Sequence, residues 1–456
     1  MSQEHRIDRR IEGRSTANYS RRRILKGAAA LGLAAPMIGA RRAAGQGGEK
    51  VQLLLWHMEQ PPNRVQQYQK VLDAFNASQD RIEVRQQVQN WEDIYQKATS
   101  AIQSERQPDL LFTIPDFTTA IKQTGAVQPV EDLVDAVAAE HPFLAPAVQP
   151  YRYDDHTWAV PLYGMVQLLW YRKDMFAAAG LDPNAPPRDW DQLRQHAQQL
   201  TADGKFGLGL PASKHLYTDQ AFYSFMITNG GKELFAGDGR VAFNTPQNVE
   251  TLGYYKELSA FSPPGSSSWT WAEPQALLNT GQLAMAIEKG QFLGPFEEQS
   301  GRPAADLGAA PVPFPPDGER GSIYYSNGVM LLTEEGDKRE ATGEFLRFLF
   351  RPENYAPFLL AEPGLFLPVT EDGDAPAWRD SPVLAKYPDA VNLLVEQSQY
   401  GYLFGFTGDR VNPGIGQISA ENMLSQAVQR AIVEDEAPEA AVAAVQQMME
   451  EAAGAV

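Results

Sequence analysis

The sequence predicts a two-lobed α/β protein in which each lobe is a mixed, mainly parallel sheet flanked by helices. Its 456 residues exceed what one hydrophobic core normally holds, which favours two domains. From residue 51 onward, short apolar runs alternate with amphipathic segments through short links, as in parallel sheets covered by helices. Residues 151–180 then hold two strand-like runs with no room for a long loop. Such spacing is expected where a chain passes between two bodies.

The crossing segment has its own order of elements. Residues 157–163 are rich in aromatic and β-branched types, which predicts a strand. Pro161 limits that strand to an edge, an end or a crossing, because proline donates no hydrogen bond to a ladder. A second apolar run covers residues 166–171, and Asp174 is expected to cap a short helix over residues 175–179.

Three strands and three helices are predicted before this segment. The strands cover residues 51–56, 82–88 and 108–112, and helices follow Asn63, Asn90 and Asp116. Because ligands bind at the carboxyl ends of parallel strands, the loops that leave these strands are the expected place for a site.

The second lobe is expected to begin near residue 163. Its predicted helices cover residues 190–200, 218–228, a segment starting at Thr245, and residues 274–280. Residues 281–287 read as a strand, and residues 311–315 are predicted to form the return strand. Residues 322–332 would then re-enter the first lobe, and residues 366–369 would form the last crossing.

Several motifs in this order resemble one known family. Residues 158–182, WAVPLYGMVQLLWYRKDMFAAAGLD, closely resemble the crossover of family 1 bacterial extracellular solute-binding proteins, the sugar-capturing subunits of ABC importers that include maltose-binding protein. Residues 180–183 and 189–193 resemble the next signature, with Asp189 and Asp191 in place of threonine and glutamate. Residues 281–287 resemble the G-x-A-A-M-x-I strand, with Leu283 replacing alanine. The resemblance runs from about residue 51 to the C-terminus.

The resemblance implies a type II periplasmic-binding-protein fold, hinged by crossover segments. It implies a first lobe of residues 50–161 plus 322–366 and a second lobe of residues 163–318 plus 368–456. The crossings would lie at residues 160–163, 322–325 and 366–368. A protein of this kind captures a solute between its lobes and delivers it to the membrane permease subunits of an ABC transporter, without catalysis, cofactor or metal.

The N-terminus resembles an export signal. Residues 20–26, SRRRILK, are similar to the twin-arginine consensus, and residues 27–40 form a weakly apolar run with the length of a signal-peptide core. Residues 1–45 are therefore predicted to be a twin-arginine signal peptide, so that the twin-arginine export machinery is a partner and the mature protein is periplasmic or otherwise extracytoplasmic. The chain contains no cysteine, which excludes disulfides, thiolate metal sites and a lipid-modified cysteine.

The predicted mature chain is strongly acidic. Residues 1–45 hold 10 Lys and Arg and 3 Asp and Glu, so the remaining chain has 39 − 10 = 29 basic and 57 − 3 = 54 acidic residues, a formal charge of −25. This balance disfavours nucleic acid and an anionic membrane surface as partners.

Aromatic and polar side chains are concentrated in the loops at the predicted strand ends. Aromatic planes suit the C–H faces of a sugar, and carboxylate and amide groups suit its hydroxyls. By resemblance, Asp116 matches the acidic residue that binds sugar hydroxyls after the third strand, and Phe292 matches an aromatic binding residue; Asp116 also reads as a helix N-cap. Core positions are expected for Trp158, Trp170, Trp190 and Tyr255. The predicted ligand-binding residues are Trp56, Glu59, Trp91, Asp116, Tyr163, Met165, Gln167, Tyr217, Trp269, Trp271, Phe292, Tyr325, Asn327, Tyr402 and Phe404.

Three alternatives remain at this point. A glycerol phosphate diester or another small solute could replace the sugar. A secreted glycoside hydrolase would need two opposed carboxylates, which have no fixed spacing in sequence. Tandem tyrosines such as Tyr324 and Tyr325 bind ferric iron in related proteins, although the six histidines here are scattered and form no HxH motif.

Overall fold

The fold is built on two separate sheets, and consecutive strands with one residue between them lead from the first sheet to the second. The structure is a computed structural model that describes residues 50–407 and 410–454. The predicted signal peptide lies outside these residues. The strands are β1 Val51–His57, β2 Ile82–Val88, β3 Leu110–Thr113, β4 Arg152–Tyr153, β5 His156–Thr157, β6 Val160–Val166, β7 Leu168–Arg172, β8 Met285–Glu288, β9 Leu307–Ala310, β10 Ser322–Leu331, β11 Gly401–Tyr402, β12 Phe406–Thr407 and β13 Arg410–Val411.

The first sheet has the order β11-β10-β3-β1-β2, and β6 also pairs with β10. Strand β1 pairs in parallel with both β2 and β3, as the alternation of strand and helix predicts. Strand β10 enters from the second half of the chain and runs antiparallel to β3 and β6. This sheet and its helices are called the first lobe below.

The second sheet has three strands, in the order β8-β7-β9. Both ladders are antiparallel, and parallel pairing is confined to isolated bridges such as Phe206 with Leu283. We predicted mainly parallel pairing in this sheet. That prediction is wrong for its strands, because β8 and β9 both run antiparallel to β7. This sheet and the helices around it are called the second lobe.

The helices cover both sheets. Within the described residues none is long and apolar enough to cross a bilayer. The helices are α1 Pro62–Ser78, α2 Ile94–Gln103, α3 Pro115–Lys122, α4 Glu131–Ala138, α5 Ala145–Val148, α6 Lys173–Ala178, α7 Trp190–Leu200, α8 Leu216–Thr228, α9 Pro246–Ser259, α10 Ala272–Thr280, α11 Phe296–Ser300, α12 Gly336–Phe350, α13 Pro352–Leu359, α14 Pro376–Arg379, α15 Pro388–Gln397, α16 Ile415–Ala420, α17 Met423–Ile432 and α18 Pro438–Gly454.

The chain passes from the first sheet to the second directly after β6. Strand β6 ends at Val166 and β7 begins at Leu168, so Gln167 alone separates strands of two different sheets. The main chain of Leu367 exchanges two hydrogen bonds, of 2.8 and 2.9 Å, with that of Gly164 on β6. The chain near its C-terminus also spans both lobes, because α16 packs on α3 while α17 packs on α8 and α9.

Of three local features predicted from the sequence, one helix is confirmed, and a strand and a helix cap are wrong. Helix α7 covers the predicted residues and is capped by Asp189, whose Oδ1 accepts from the Gln192 amide at 2.8 Å. The predicted return strand at residues 311–315 is wrong: β9 covers Leu307–Ala310, and the proline-rich stretch after it makes only one bridge, through Phe314. Asp174 does not cap α6, because its carboxylate binds the Arg172 guanidinium through two hydrogen bonds of 2.8 Å.

Candidate functional site

A cavity of about 450 Å³ lies between the two lobes. The first lobe contributes the segments that follow β1, β2 and β3, because the carboxyl ends of these parallel strands meet at one edge of the sheet. The second lobe contributes α8, the start of α10 and the turn after β8. The lining residues are Met58, Glu59, Gln60, Pro61, Arg64, Trp91, Glu92, Ile114, Met165, Leu216, Gln220, Thr270, Trp271, Ala272, Gln275, Lys289, Gln291, Tyr325, Asn327 and Leu365.

Six predicted site residues line this cavity. Three of them come from the paired strands β6 and β10, where Met165 lies opposite Tyr325 and Asn327 is two residues further along β10. Alternate residues of a strand share one face, so this pairing forms one wall of the cavity. The six are Glu59, Trp91, Met165, Trp271, Tyr325 and Asn327.

Two aromatic residues expected at the site are buried away from the cavity. Trp269 is 4 % exposed, and its ring packs against the backbone of Gly209. Phe292 is fully buried, with its ring centroid 5.6 Å from that of Trp170. The turn after β8 explains Phe292: Lys289 and Gln291 line the cavity, while the next residue points into the core. Trp158, Trp170, Trp190 and Tyr255 are buried, as predicted.

Trp56, Tyr217 and Tyr402 also lie outside the lining. Trp56 donates from Nε1 to Gln87 Oε1 at 3.0 Å, within the first sheet. Tyr217 is fully buried in α8. Tyr402 is half-buried, and its ring is covered by the Lys232 ammonium at 3.9 Å.

Three further predicted residues support the cavity wall or the crossing from behind. Tyr163 donates from its hydroxyl to Glu59 Oε1 at 2.6 Å. Phe404 packs edge-on against Tyr325, with ring centroids 6.1 Å apart. Gln167 accepts at Oε1 from the Ser224 hydroxyl at 2.7 Å, which joins the crossing to α8.

Asp116 forms a buried contact between α3 and α16. Its Oδ2 accepts a hydrogen bond from the Ser419 hydroxyl, and Tyr95 Oη lies 3.4 Å from the same oxygen. It is not the N-cap of α3, which is Ile114. Burial raises the pKa of Asp116 to about 6, against the lowering effect of these hydrogen bonds. Asp219 on α8 is also fully buried, and burial raises its pKa well above the usual value although it accepts from the Ser425 amide at 2.5 Å.

Arg64 is held between two carboxylates at the first-lobe wall. Its Nη1 donates to Glu59 Oε2 at 2.7 Å, and its Nε donates to Glu362 Oε2 at 3.0 Å. Asn63 donates to the same Glu362 oxygen at 3.0 Å. Burial lowers the pKa of Arg64, but the two carboxylates outweigh this effect and raise it overall.

Lys289 is the cation of the opposite wall. Its ammonium donates to Gln220 Oε1 at 2.6 Å and to Glu288 Oε1 at 3.0 Å, and it lies 5.9 Å from the Trp271 ring centroid. Trp271 itself donates from Nε1 towards Gln220 Oε1 at 3.4 Å. Gln220 therefore links the ammonium and the indole.

Two buried polar atoms of the lining have no protein partner within the described residues. They are the hydroxyl of Tyr325 and Oε1 of Gln291. Burying such groups unpaired costs free energy, so both are suited to a ligand that carries hydroxyls. No group of three His, Asp or Glu side chains that could hold a metal occurs in the part of the chain that the structure describes.

Sequence reasoning missed several lining residues, including Arg64, Gln220, Lys289 and Gln291. Arg64 lies in the first turns of α1, beyond the loop in which a site was sought. Lys289 comes directly after the buried strand β8. A charged residue at such a position could have been predicted from the sequence as a site residue. Gln220 lies in a helix whose residues from Tyr217 to Thr228 are all buried. Hydrophobic periodicity therefore cannot indicate which side of this helix faces the cavity.

Comparison with known proteins identifies the family. Residues 61–356 match the model of bacterial extracellular solute-binding proteins, which is more than half of the chain. A putative ABC transporter periplasmic-binding protein of Escherichia coli K12, YcjN, is 28% identical over 375 residues, 80% of this chain and 84% of that protein. The sn-glycerol-3-phosphate-binding periplasmic protein UgpB of Shigella dysenteriae is 24% identical over 298 residues, 62% of this chain and 66% of its own.

The fold agrees with this assignment. An ABC transporter solute-binding protein of Thermotoga lettingae, solved with α-D-tagatose, superposes with a TM-score of 0.75 at 20% identity and covers 89% of this chain and 100% of its own. The type II periplasmic-binding-protein fold predicted from the sequence is confirmed. This chain therefore belongs to the bacterial extracellular solute-binding proteins, the substrate-binding components of ABC transporters.

Proposed function

We propose that the protein captures a sugar or small oligosaccharide in the cavity between its lobes and delivers it to an ABC permease. The observation that carries this proposal is the pair of indoles in the lining, Trp91 from the first lobe and Trp271 from the second. Each can stack on the apolar face of a sugar ring.

The polar groups of the lining suit the hydroxyls of the same ligand. Asn327, Gln275 and Gln60 supply amide donors and acceptors. The Tyr325 hydroxyl and Gln291 Oε1 have no protein hydrogen-bond partner within the described residues, which suits them to a ligand that carries hydroxyls. A volume of about 450 Å³ lies within the range of small-molecule sites.

The protein acts as a binding protein and not as an enzyme in this proposal. Glu59 is the buried carboxylate of the lining, and both of its oxygens are engaged, by Tyr163 and by Arg64. A carboxyl group whose two oxygens are both engaged in this way is poorly placed to exchange a proton with a substrate. Export by the twin-arginine route, through residues 1–45, brings the mature protein to the extracytoplasmic side, where the permease receives the solute.

A second candidate is an anionic solute such as a glycerol phosphate diester. The relation to UgpB favours it, and Arg64 and Lys289 are the lining cations that such a solute would have to bind in competition with their carboxylate partners.

Calorimetric titration of the mature protein with a library of mono- and oligosaccharides, polyols and glycerophosphodiesters tests the proposal. We expect a neutral sugar or oligosaccharide to bind tightly, and small-angle scattering to give a smaller radius of gyration in its presence as the lobes close. Tight binding of a phosphodiester with no sugar bound would favour the second candidate. An unchanged radius at saturation would count against hinge closure.

A further inference from the structure

We infer that the two cations of the cavity are neutralised by carboxylates behind them, so that the site selects uncharged solutes and rejects anions, with Glu362 and Glu288 as the residues that set this selectivity. The inference rests on the proposed function, since it names the charge class of the solute that the same cavity takes.

At the first-lobe wall, Arg64 is shared by two carboxylates. Glu59 and Glu362 accept from different nitrogens of its guanidinium, at 2.7 and 3.0 Å. All three side chains are largely buried, with exposures of 17 % for Arg64, 4 % for Glu59 and 10 % for Glu362. An arginine that bound a phosphate or carboxylate of the solute would present its planar fork to the cavity, but here Nε and Nη1 are already engaged by carboxylates, and only Nη2 lacks a protein partner within the described residues.

At the opposite wall, Lys289 is compensated by its neighbour in sequence. Glu288 is fully buried and accepts from the Lys289 ammonium at 3.0 Å, and its second oxygen has no protein partner among the residues that the structure describes. Gln220 takes a second ammonium hydrogen at 2.6 Å. One hydrogen of Lys289 remains for a solute, which is sufficient for a hydroxyl.

The charge balance of the walls is negative. Two cations, Arg64 and Lys289, are accompanied by four carboxylates, Glu59 and Glu92 in the lining and Glu288 and Glu362 directly behind it, which gives 2 − 4 = −2. In a partly desolvated site such a balance repels an anion, because like charges brought together there interact more strongly than in water. A neutral polyol meets no such repulsion.

Glu362 and Glu288 do not themselves line the cavity. They act through Arg64 and Lys289, so changing them alters the charge of the site without removing a contact to the solute. Glutamine is nearly isosteric with glutamate and keeps an oxygen that can accept from the same donors, which makes Glu362→Gln and Glu288→Gln the appropriate variants.

The test uses inorganic phosphate and sn-glycerol 3-phosphate as anionic probes, titrated into the mature wild-type protein, both single variants and the double variant. Glu371→Gln, an exposed carboxylate in the loop after Leu367, is the matched control. We expect phosphate binding by the wild type and the control to lie below the detection limit of the titration, the double variant to bind at least about ten-fold above that limit, and each single variant to show a part of that gain. Adding Arg64→Gln to Glu362→Gln should abolish the gain that the latter produces.

Two results would overturn the inference: phosphate or sn-glycerol 3-phosphate binding by the wild type, or no gain in a double variant whose circular dichroism shows that it is folded. If the double variant does not fold, the single variants decide in the same way, because each wall is changed separately. The sugar library, titrated in parallel, separates the two proposals. A wild type that binds no sugar, with variants that gain phosphate, would remove the sugar proposal and leave the selectivity mechanism in place.

Discussion

The hydroxyl of Tyr163 donates a 2.6 Å hydrogen bond to Oε1 of Glu59 and thereby fixes a carboxylate of the cavity wall from the strand that leads to the crossing. The other oxygen of Glu59 is bound by Arg64. The crossing strand and the loop after β1 are thus connected at the wall that a solute would contact.

Replacing Tyr163 with phenylalanine should weaken both stability and binding. The variant keeps the ring, which stacks on Phe366 at 3.8 Å, but leaves Glu59 Oε1 buried without a donor. We expect a loss of about 1–3 kcal/mol in the free energy of unfolding, measured by urea denaturation, and a lower affinity for the bound sugar. Tyr400→Phe, at an exposed position, is the control. Equal stability of Tyr163→Phe and the wild type would show that the hydrogen bond contributes little.

Replacing Trp271 with alanine should affect binding much more than stability. Its ring lines the cavity, so its loss is expected to weaken sugar binding by about 1–2 kcal/mol or more, roughly ten-fold or beyond. Phe292→Ala is the matched comparison, because that ring is fully buried and its removal should cost about 3–5 kcal/mol of stability. Melting temperature and calorimetric affinity of both variants provide the check. Normal sugar affinity in a folded Trp271→Ala protein would contradict the proposed site.

Asp116 should make the protein less stable as the pH rises from about 4 to 6. Its pKa in the folded protein, about 6, lies above the value of about 4 expected in the unfolded chain, so the folded state binds the additional proton between these values. The stabilisation is present below pH 4 and is lost as the pH passes 6. Asp116→Asn cannot ionise, and the variant should lack this part of the pH profile, worth at most about 3 kcal/mol. Burial also raises the pKa of Asp219, so Asp219 likewise makes the protein less stable as the pH rises. The Asp116→Asn variant retains this contribution.

Thermal melting of Asp116→Asn and wild type across pH 4–8 measures the effect, with Asp73→Asn on the exposed face of α1 as the control. Asparagine keeps an oxygen that can accept from Ser419, so the contact between α3 and α16 is retained. Parallel profiles for the variant and the wild type would show that Asp116 does not titrate in this range.

Export should depend on Arg21 and Arg22 as a recognised pair. Changing both to lysine conserves the charge but removes the residues that the twin-arginine receptor reads. We expect the precursor of the double variant to remain in the cytoplasm, as cell fractionation and immunoblotting would show. A variant in which a single lysine replaces Arg23 is the control. Normal export of the double variant through this route would exclude the signal peptide proposed here.

The alternation of strands and helices was readable in the sequence, because periodicity and capping residues are local. The orientation of individual side chains was not. Trp269 and Trp271 are two residues apart, yet one packs on Gly209 and the other lines the cavity, because the chain turns into α10 between them. Phe292 is an aromatic residue in a loop after a strand, where binding residues are common. The conformation of the turn after β8 directs its ring onto Trp170 instead, and this is visible only in the structure. The pairing of Arg64 with Glu362 joins positions 298 residues apart, which no local pattern reveals.

The single residue between β6 and β7 has a consequence for affinity. Because Gln167 is the one residue between β6 and β7, the two halves of the site stay close together and each is at a high effective concentration relative to the other. A solute that has bound one lobe meets the other lobe as part of the same molecule, so the second set of contacts forms in an intramolecular step. Under the proposed function, two individually weak faces would in this way bind a small solute more tightly than either face alone.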